Sequence, residues 1–267
     1  LFLSGDHPPG AGSPIRIVST TEAPAGSLHV IALERVAQSL AARSEGRLLL
    51  EVHYLGNSAN PAIRGEEENV NMVMSGLRPA EDPQRVDLTI VATGNLSRVA
   101  NFLDFLMLPY LFESLEAADR LFAHPFLSTT LNDRLAEQFN VRVLGWLIGG
   151  FRHLSNAERT VSRLEHLQGL RIRVPQNRIM QATYLALGAE VVPLPWGDTY
   201  AALARGEING QENPLNVMVE ARFWEVGQRH VTLNGPFLYT APILINEKFY
   251  RQLSETDQRL LLAAAHD

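Results

Sequence analysis

Two spacings of apolar residues alternate along this 267-residue chain. Short aliphatic or β-branched runs read as strands, and stretches with apolar residues three and four apart read as helices. Ile15 to Ser19 is the first strand, followed by a turn-rich stretch from Thr20 to Gly26. Leu33, Val36, Ala37, Leu40 and Ala41 share one helical face, and Gly46 suits the helix end. Arg47 to Tyr54 reads as a strand with Leu55-Gly56-Asn57 as its turn. Strand, helix and strand in such close succession predict a parallel βαβ unit. Gly65 to Gly76 reads as another helix, Asp87 to Thr93 as a buried strand and Ser114 to Phe122 as a helix. Leu103 to Phe112 is an apolar stretch broken at Pro109-Tyr110, and Val141 to Trp146 is a strand entering a bend at Gly149-Gly150.

The second half repeats the alternation. Arg171 to Val174 is a strand stopped by Pro175, Asn177 to Leu187 a helix ended by Gly188, and Glu190 to Leu194 a strand. Asp198 is placed to cap a short helix running to Arg205, and Leu215 to Val226 is helical. Pro242 to Asn246 is a strand, and Ser254 opens a final helix with a capping-box-like Ser-x-x-Asp. The pattern predicts an α/β protein of two lobes.

Composition narrows the function. Hydrophobic residues make up 46% of the chain, enough for a real core, and the net charge of -6 comes without any basic arm, which argues against binding through nucleic-acid phosphates. There is no cysteine, so thiol nucleophiles, disulfides and cysteine-held metals are excluded. The one lysine, Lys248, follows Glu247 rather than glycine, which excludes a P-loop. Gly-x-Ser-x-Gly, His-Glu-x-x-His and Gly-x-Gly-x-x-Gly are all missing, and the eight histidines are scattered without metal-ligand spacing. Glu66-Glu67-Glu68 suits the positive end of a helix dipole and reads as a solvated first turn rather than a metal site. No apolar run reaches membrane-spanning length and no secretory leader is visible, so an exported protein would have had its signal removed.

Three segments carry candidate chemistry. In Gly169 to Pro175, alternation puts Arg171 and Arg173 on one face and Ile172 and Val174 on the other. An arginine at the end of such a strand points into the crevice where α/β folds bind ligands, and its planar fork suits a carboxylate. The same pattern also fits a surface arginine on an edge strand. Asn209-Gly210-Gln211-Glu212-Asn213-Pro214 is a polar loop between two helices, either a capped turn or a ligand loop. Trp196, between Pro195 and Gly197, is either a core plug or a platform for a ligand.

Taken together, Arg171 to Pro175, Leu187-Gly188-Ala189, Val192 to Leu203 and Gly206 to Pro214 resemble, in order and spacing, the DctP-like solute-binding proteins of tripartite ATP-independent periplasmic (TRAP) transporters. Leu108 to Phe112 and Gly150-Phe151-Arg152-His153-Leu154-Ser155 are similar to further motifs of that family. The resemblance implies a hinged, two-lobed periplasmic-binding-protein (Venus-flytrap) architecture, with residues 1–150 plus 239–267 as one lobe and 151–238 as the other. It implies a periplasmic, non-enzymatic protein that uses no cofactor or metal, captures a small organic acid and delivers it to membrane permease subunits; the oligomeric state stays open, with a monomer as the default expectation. Carried over position by position, it implies that Arg173 pairs with the ligand carboxylate and Arg152 is a second ligand-side arginine. Asn213 would donate an amide, Trp196 would pack on the carbon skeleton and Gln176 would be a polar contact. Thr93, Asn95 and Glu22 are expected to face the ligand from the other lobe. This chain departs from the family at Asn234-Gly235-Pro236 and Asn209, its Leu77 to Arg85 segment is longer, and the family continues the last helix beyond Asp267. Two other classes use the same cleft: an enzyme acting on a small acid, with Glu212 or Glu22 as base, and the sensory module of a receptor. Many acids satisfy one arginine clamp; Trp196 and two arginines lean toward a sugar acid or an aromatic acid.

Overall fold

The computed structural model describes residues 13–55, 65–76, 78–79, 81–96 and 99–267. The turn expected at Gly56-Asn57, most of the Gly5 to Pro14 lead-in and part of the Leu77 to Arg85 segment lie outside the described residues. The chain opens with β1 (Ile15–Pro24), α1 (Leu28–Arg43) and β2 (Leu48–Leu55). β1 and β2 pair in parallel, as the strand–helix–strand pattern predicts. β1 runs on through Thr20 to Pro24, where the sequence predicts a loop. Ser19, Thr20 and Thr21 are polar but buried in mid-sheet, where the Ser19 hydroxyl donates to the Glu51 carbonyl at 2.8 Å and Thr89 Oγ1 to the Thr20 carbonyl at 2.8 Å. These bonds satisfy groups that water would otherwise hold.

α2 (Glu66–Ser75) leads to β3 (Leu88–Ile90), which lies between β1 and a late strand. Asn101–Met107 is a 3₁₀ segment, and α3 (Leu115–Phe122) and α4 (Asn132–Phe139) follow it. β4 (Val141–Asn156) is a 16-residue strand. It does not end at Gly149-Gly150 as the sequence suggests. It passes through them with a register shift between Ile148 and Gly150, and Gly150 takes φ +92°, a conformation glycine adopts without steric cost.

β5 (Arg171–Val174), α5 (Arg178–Ala186) and β6 (Glu190–Pro193) form a second parallel unit, followed by α6 (Trp196–Ala204). Pro195 occupies the N-cap of α6, so Asp198 sits inside the helix rather than capping it. The polar stretch read as a loop is largely a strand, β7 (Gly210–Asn213), because it is buried between β4 and β5. α7 (Leu215–Glu220), β8 (His230–Asn246), α8 (Glu247–Gln252) and α9 (Glu255–Ala265) complete the fold. Ser114, Asn177 and Ser254 each cap a helix by accepting a backbone N–H, at 3.2, 3.0 and 3.1 Å.

The eight strands make one sheet in the order β2-β1-β3-β8-β4-β7-β5-β6. The two parallel groups at its ends are joined by the antiparallel pair β4 and β8, which runs from Val141 opposite Asn246 to Asn156 opposite His230. One core packs α1 and α9 on the β1, β2 and β8 side through Ile17, Leu33, Leu40, Ile245 and Leu261. Another packs α5 against β5 through Ile172, Val174, Met180 and Tyr184. No helix among the described residues is long and apolar enough to cross a membrane.

α9 lies against β4 so closely that a Cβ on Gly145 would stand 2.7 Å from the Ala265 carbonyl oxygen. Backbone cannot swing aside as a side chain can. Gly145→Ala is therefore expected to destabilise the fold by about 1–3 kcal/mol, read as a lower urea midpoint. An unchanged midpoint would mean α9 docks less tightly than described.

Candidate functional site

A cavity of about 550 Å³ opens beside the place where β4 and β8 pass between the two parallel groups. Glu22 near the end of β1, Glu66 at the start of α2, and Asn95 line it from one group. Arg152 on β4, Arg173 on β5, Trp196 at the start of α6 and Asn213 at the end of β7 line it from the other. Six of the eight residues expected at the site therefore converge on one cavity. Thr93 is buried but turned into the sheet, where its hydroxyl bonds the Thr240 hydroxyl at 2.8 Å and donates to the Thr240 carbonyl at 2.9 Å. Gln176 follows Pro175, which lines the cavity, but is itself not part of the wall.

The two arginines differ in their chemistry. Arg152 donates Nε to Glu212 Oε2 at 2.6 Å, and Nη2 to Glu212 Oε1 and to the Glu212 carbonyl, both at 2.8 Å. Both side chains are buried, so this bidentate pair is already closed. Burial works against the Arg152 charge, but Glu212 outweighs it and holds the pKa above the ordinary value. Arg173 is only 1% exposed, yet its Nε and Nη2 reach no carboxylate, only the Leu194 carbonyl, at 2.9 and 2.7 Å. Burial, then the charge of Arg152, lowers its pKa to about 10, still well above neutrality. Its guanidinium stands 5.9 Å from the centre of the Trp196 ring, and Trp196 in turn meets Phe223 edge-on at 5.9 Å.

Asn213 is aimed by a buried relay. Its Nδ2 donates to Gln211 Oε1 at 2.7 Å, Gln211 Nε2 to Ser155 Oγ at 2.7 Å, and Ser155 Oγ to Gln228 Oε1 at 2.8 Å. The second N–H of the Asn213 amide stays available. A comparable pair supports the opposite wall: the Tyr239 hydroxyl bonds His29 Nε2 at 2.8 Å, and burial lowers the His29 pKa to about 4, so this histidine is neutral.

The acids on the first wall are unusual. Burial, reinforced by the nearby charge of Glu66, raises the Glu22 pKa from 4.5 to about 8; the Glu66 backbone amide and Arg173 oppose the rise, and Asp198 adds to it. Glu66 is raised as well, by burial, against hydrogen bonds from the Asn95 amide and the Ala92 N–H at 3.3 Å and the charges of Arg173 and Arg152. Sequence reasoning took Glu66 for part of a solvated turn, but it is 8% exposed. The only signal was its position one residue after Gly65, at the mouth of a helix. Tyr239, His29, Phe223 and Glu220 also line the cavity and were not found from sequence.

The profile described as bacterial extracellular solute-binding protein, family 7 (DctP), matches residues 19–267. The chain belongs to this family. A solute-binding protein of Verminephrobacter eiseniae is 29% identical over 238 residues, covering 88% of this chain and 65% of that relative's length. The sugar acid binding protein DctPAm of Advenella mimigardefordensis, solved with galactonate, superposes with a TM-score of 0.83 at 25% identity, covering 96% of this chain and 77% of that one. A TRAP periplasmic solute-binding protein of Roseobacter denitrificans with bound L-galactonate gives 0.80 at 25% identity, covering 95% and 79%. The DctP chain thus has the two-lobed fold of periplasmic binding proteins, and its family consists of solute-binding proteins rather than enzymes.

The raised pKa of Glu22 has a thermodynamic consequence. Between pH 4.5 and about 8 the unfolded chain has released a proton that the folded protein still holds, so stability falls as pH rises through that window. Glu66 acts in the same direction. Glu22→Gln is expected to flatten the decline in melting temperature over this range for the ligand-free protein. An identical slope in the variant would show that Glu22 titrates normally.

Proposed function

We propose that this DctP chain is the extracytoplasmic binding component of a TRAP transporter, capturing a small organic acid in the cavity and handing it to membrane permease subunits. The observation that carries the reading is Arg173: a charged guanidinium, 1% exposed, in the cavity wall, with no carboxylate in ion-pair reach among the described residues. A buried charge is tolerated when a partner arrives to neutralise it, and a ligand carboxylate supplies a planar match to the arginine fork. Asn213 offers an amide N–H, and Trp196 and Phe223 give an apolar wall for the carbon skeleton. The cavity volume suits a sugar acid of the kind bound by the Advenella and Roseobacter proteins.

We assign the lobes as residues 1–150 plus 239–267 and 151–238. In support, both boundaries fall at one register position, where Gly150 stands opposite Tyr239 beside a shift in the β4–β8 ladder. Closure about that position would bring Glu22 and Glu66 toward Arg173 and Asn213. The protein acts as a monomer in the periplasm. Glu212, considered above as a catalytic base, is held in both oxygens by Arg152, which supports carriage without chemistry.

Calorimetric titration with galactonate and other organic acids tests the reading. A wild-type protein that binds one acid class, and an Arg173→Ala variant that loses at least about 100-fold in affinity while keeping its circular dichroism, are the expected results; leaving a buried carboxylate unpaired costs about 3–5 kcal/mol. Retention of affinity within about threefold would remove Arg173 from the site.

A further inference from the structure

The charges around the cavity are unevenly matched. Its wall carries two arginines, Arg152 and Arg173, and three acids, Glu22, Glu66 and Glu220. The charge of Arg152 is already balanced by Glu212, which leaves Arg173 as the one arginine without an ion-pair partner among the described lining residues. A ligand that puts one carboxylate on Arg173 therefore meets acids, and no second unpaired cation, among the other ionisable groups of the described wall. We propose that Glu22 and Glu66 make their side of the cavity a filter for monocarboxylates, admitting acids whose other groups are hydroxyl donors and turning away acids with a second carboxylate. This rests on the reading of the cavity as an organic-acid site and narrows its substrate class.

Each carboxyl oxygen has two lone pairs. Glu66 spends one site on the Asn95 amide and one on the Ala92 N–H, and keeps others for ligand hydroxyls. Hydroxyls can donate to a carboxylate, and can donate to and accept from a protonated carboxyl, so a polyhydroxylated tail is served in either state. A second carboxylate finds no cation there in either state: an ionised glutamate repels it, a protonated one offers it a single hydrogen bond without charge, and the lining histidine, His29, is buried, neutral and bonded to Tyr239. Burial, joined at Glu22 by the charge of Glu66, already pushes both glutamates away from ionisation, which marks a region short of positive charge before any ligand arrives. Selectivity of this kind comes from a repulsive element as much as from the arginine clamp.

The test compares acids that share a carbon skeleton and differ by one carboxylate: galactonate against galactarate, and gluconate against glucarate. Titrations at pH 7.5 use the wild type, Glu22→Gln, Glu66→Gln and Arg173→Ala, each checked for folding by circular dichroism. The expected result is a monocarboxylate preference of at least about tenfold in the wild type, falling to within about threefold in one or both glutamine variants, with both acids of a pair lost in Arg173→Ala. Dicarboxylates that bind the wild type as well as their partners do, or a preference that survives both glutamine substitutions in folded protein, would overturn the filter and leave the acid-binding reading standing. Wild-type protein that binds neither these acids nor any other carboxylate would overturn the acid-binding reading, and the filter with it.

Discussion

Everything in this molecule hangs on the antiparallel pairing of β4 with β8. The ladder extends from Val141 opposite Asn246 to Asn156 opposite His230, and among the described residues it is the strand pairing through which the two parallel groups are joined. Two consequences follow from its length. The sheet is continuous, so the cavity cannot be a gap between independent domains; it lies beside a shared pair of strands. The ladder must also change register as it crosses, and it does so next to Gly150, where a positive φ costs little. Residues that line the cavity from this pair, Arg152 and Tyr239, sit within two positions of that irregularity and inherit their placement from it.

On that frame, a polar interior is arranged in tiers. Arg152 and Glu212, on neighbouring antiparallel strands, close a bidentate pair that would be a liability if either partner were lost. The amides of Gln211, Asn213 and Gln228 and the Ser155 hydroxyl fill the space behind it with satisfied bonds. Such a network is paired except for the one Asn213 N–H left toward the cavity, so it holds one geometry rather than several. Its rigidity lets Arg173 stand next to it with a charge left over. Without the closed pair, two guanidinium groups would share one wall, and the repulsion that already lowers the Arg173 pKa would be far larger.

The sequence made the alternating βα order, the helix starts at Ser114 and Asn177, the cap at Ser254 and the short strand Arg171–Val174 legible, because each depends on local spacing or on one capping residue. The misreadings share a physical cause. Thr20 to Pro24 and Gly210 to Asn213 are polar strands, and their burial is decided by neighbours far away in sequence rather than by their own composition. Glycines 149 and 150 looked like a stop and instead relieve a bulge. Arg173, Arg152, Asn213 and Trp196 were found because a family pattern runs through them. Thr93 and Gln176 came from the same pattern, but the direction of a side chain off an irregular segment is set by tertiary packing that no motif encodes. Glu66 was hidden for the opposite reason: three glutamates in a helical first turn are ordinarily solvated, and only the fold puts the first of them under a lid of its neighbours.

The unpaired Arg173 connects stability to binding. A buried cation without a counter-ion is a cost borne by the empty protein, partly relieved by the Leu194 carbonyl and the Trp196 ring. The two raised glutamates are a second cost of the same kind, since each is held away from the ionised form that it would take in water. On the proposed reading, a ligand with one carboxylate and a hydroxylated tail would remove the first cost and give the second pair of groups hydrogen-bond donors. Its binding energy therefore includes the relief of strain that folding has stored, and that energy is available only when both walls contact the same molecule. Differential affinity for the closed state is what a two-lobed protein needs if a small acid is to shift it from open to closed. If the filter proposed above operates, the charges that make the site selective are also the ones that would make closure depend on its being filled.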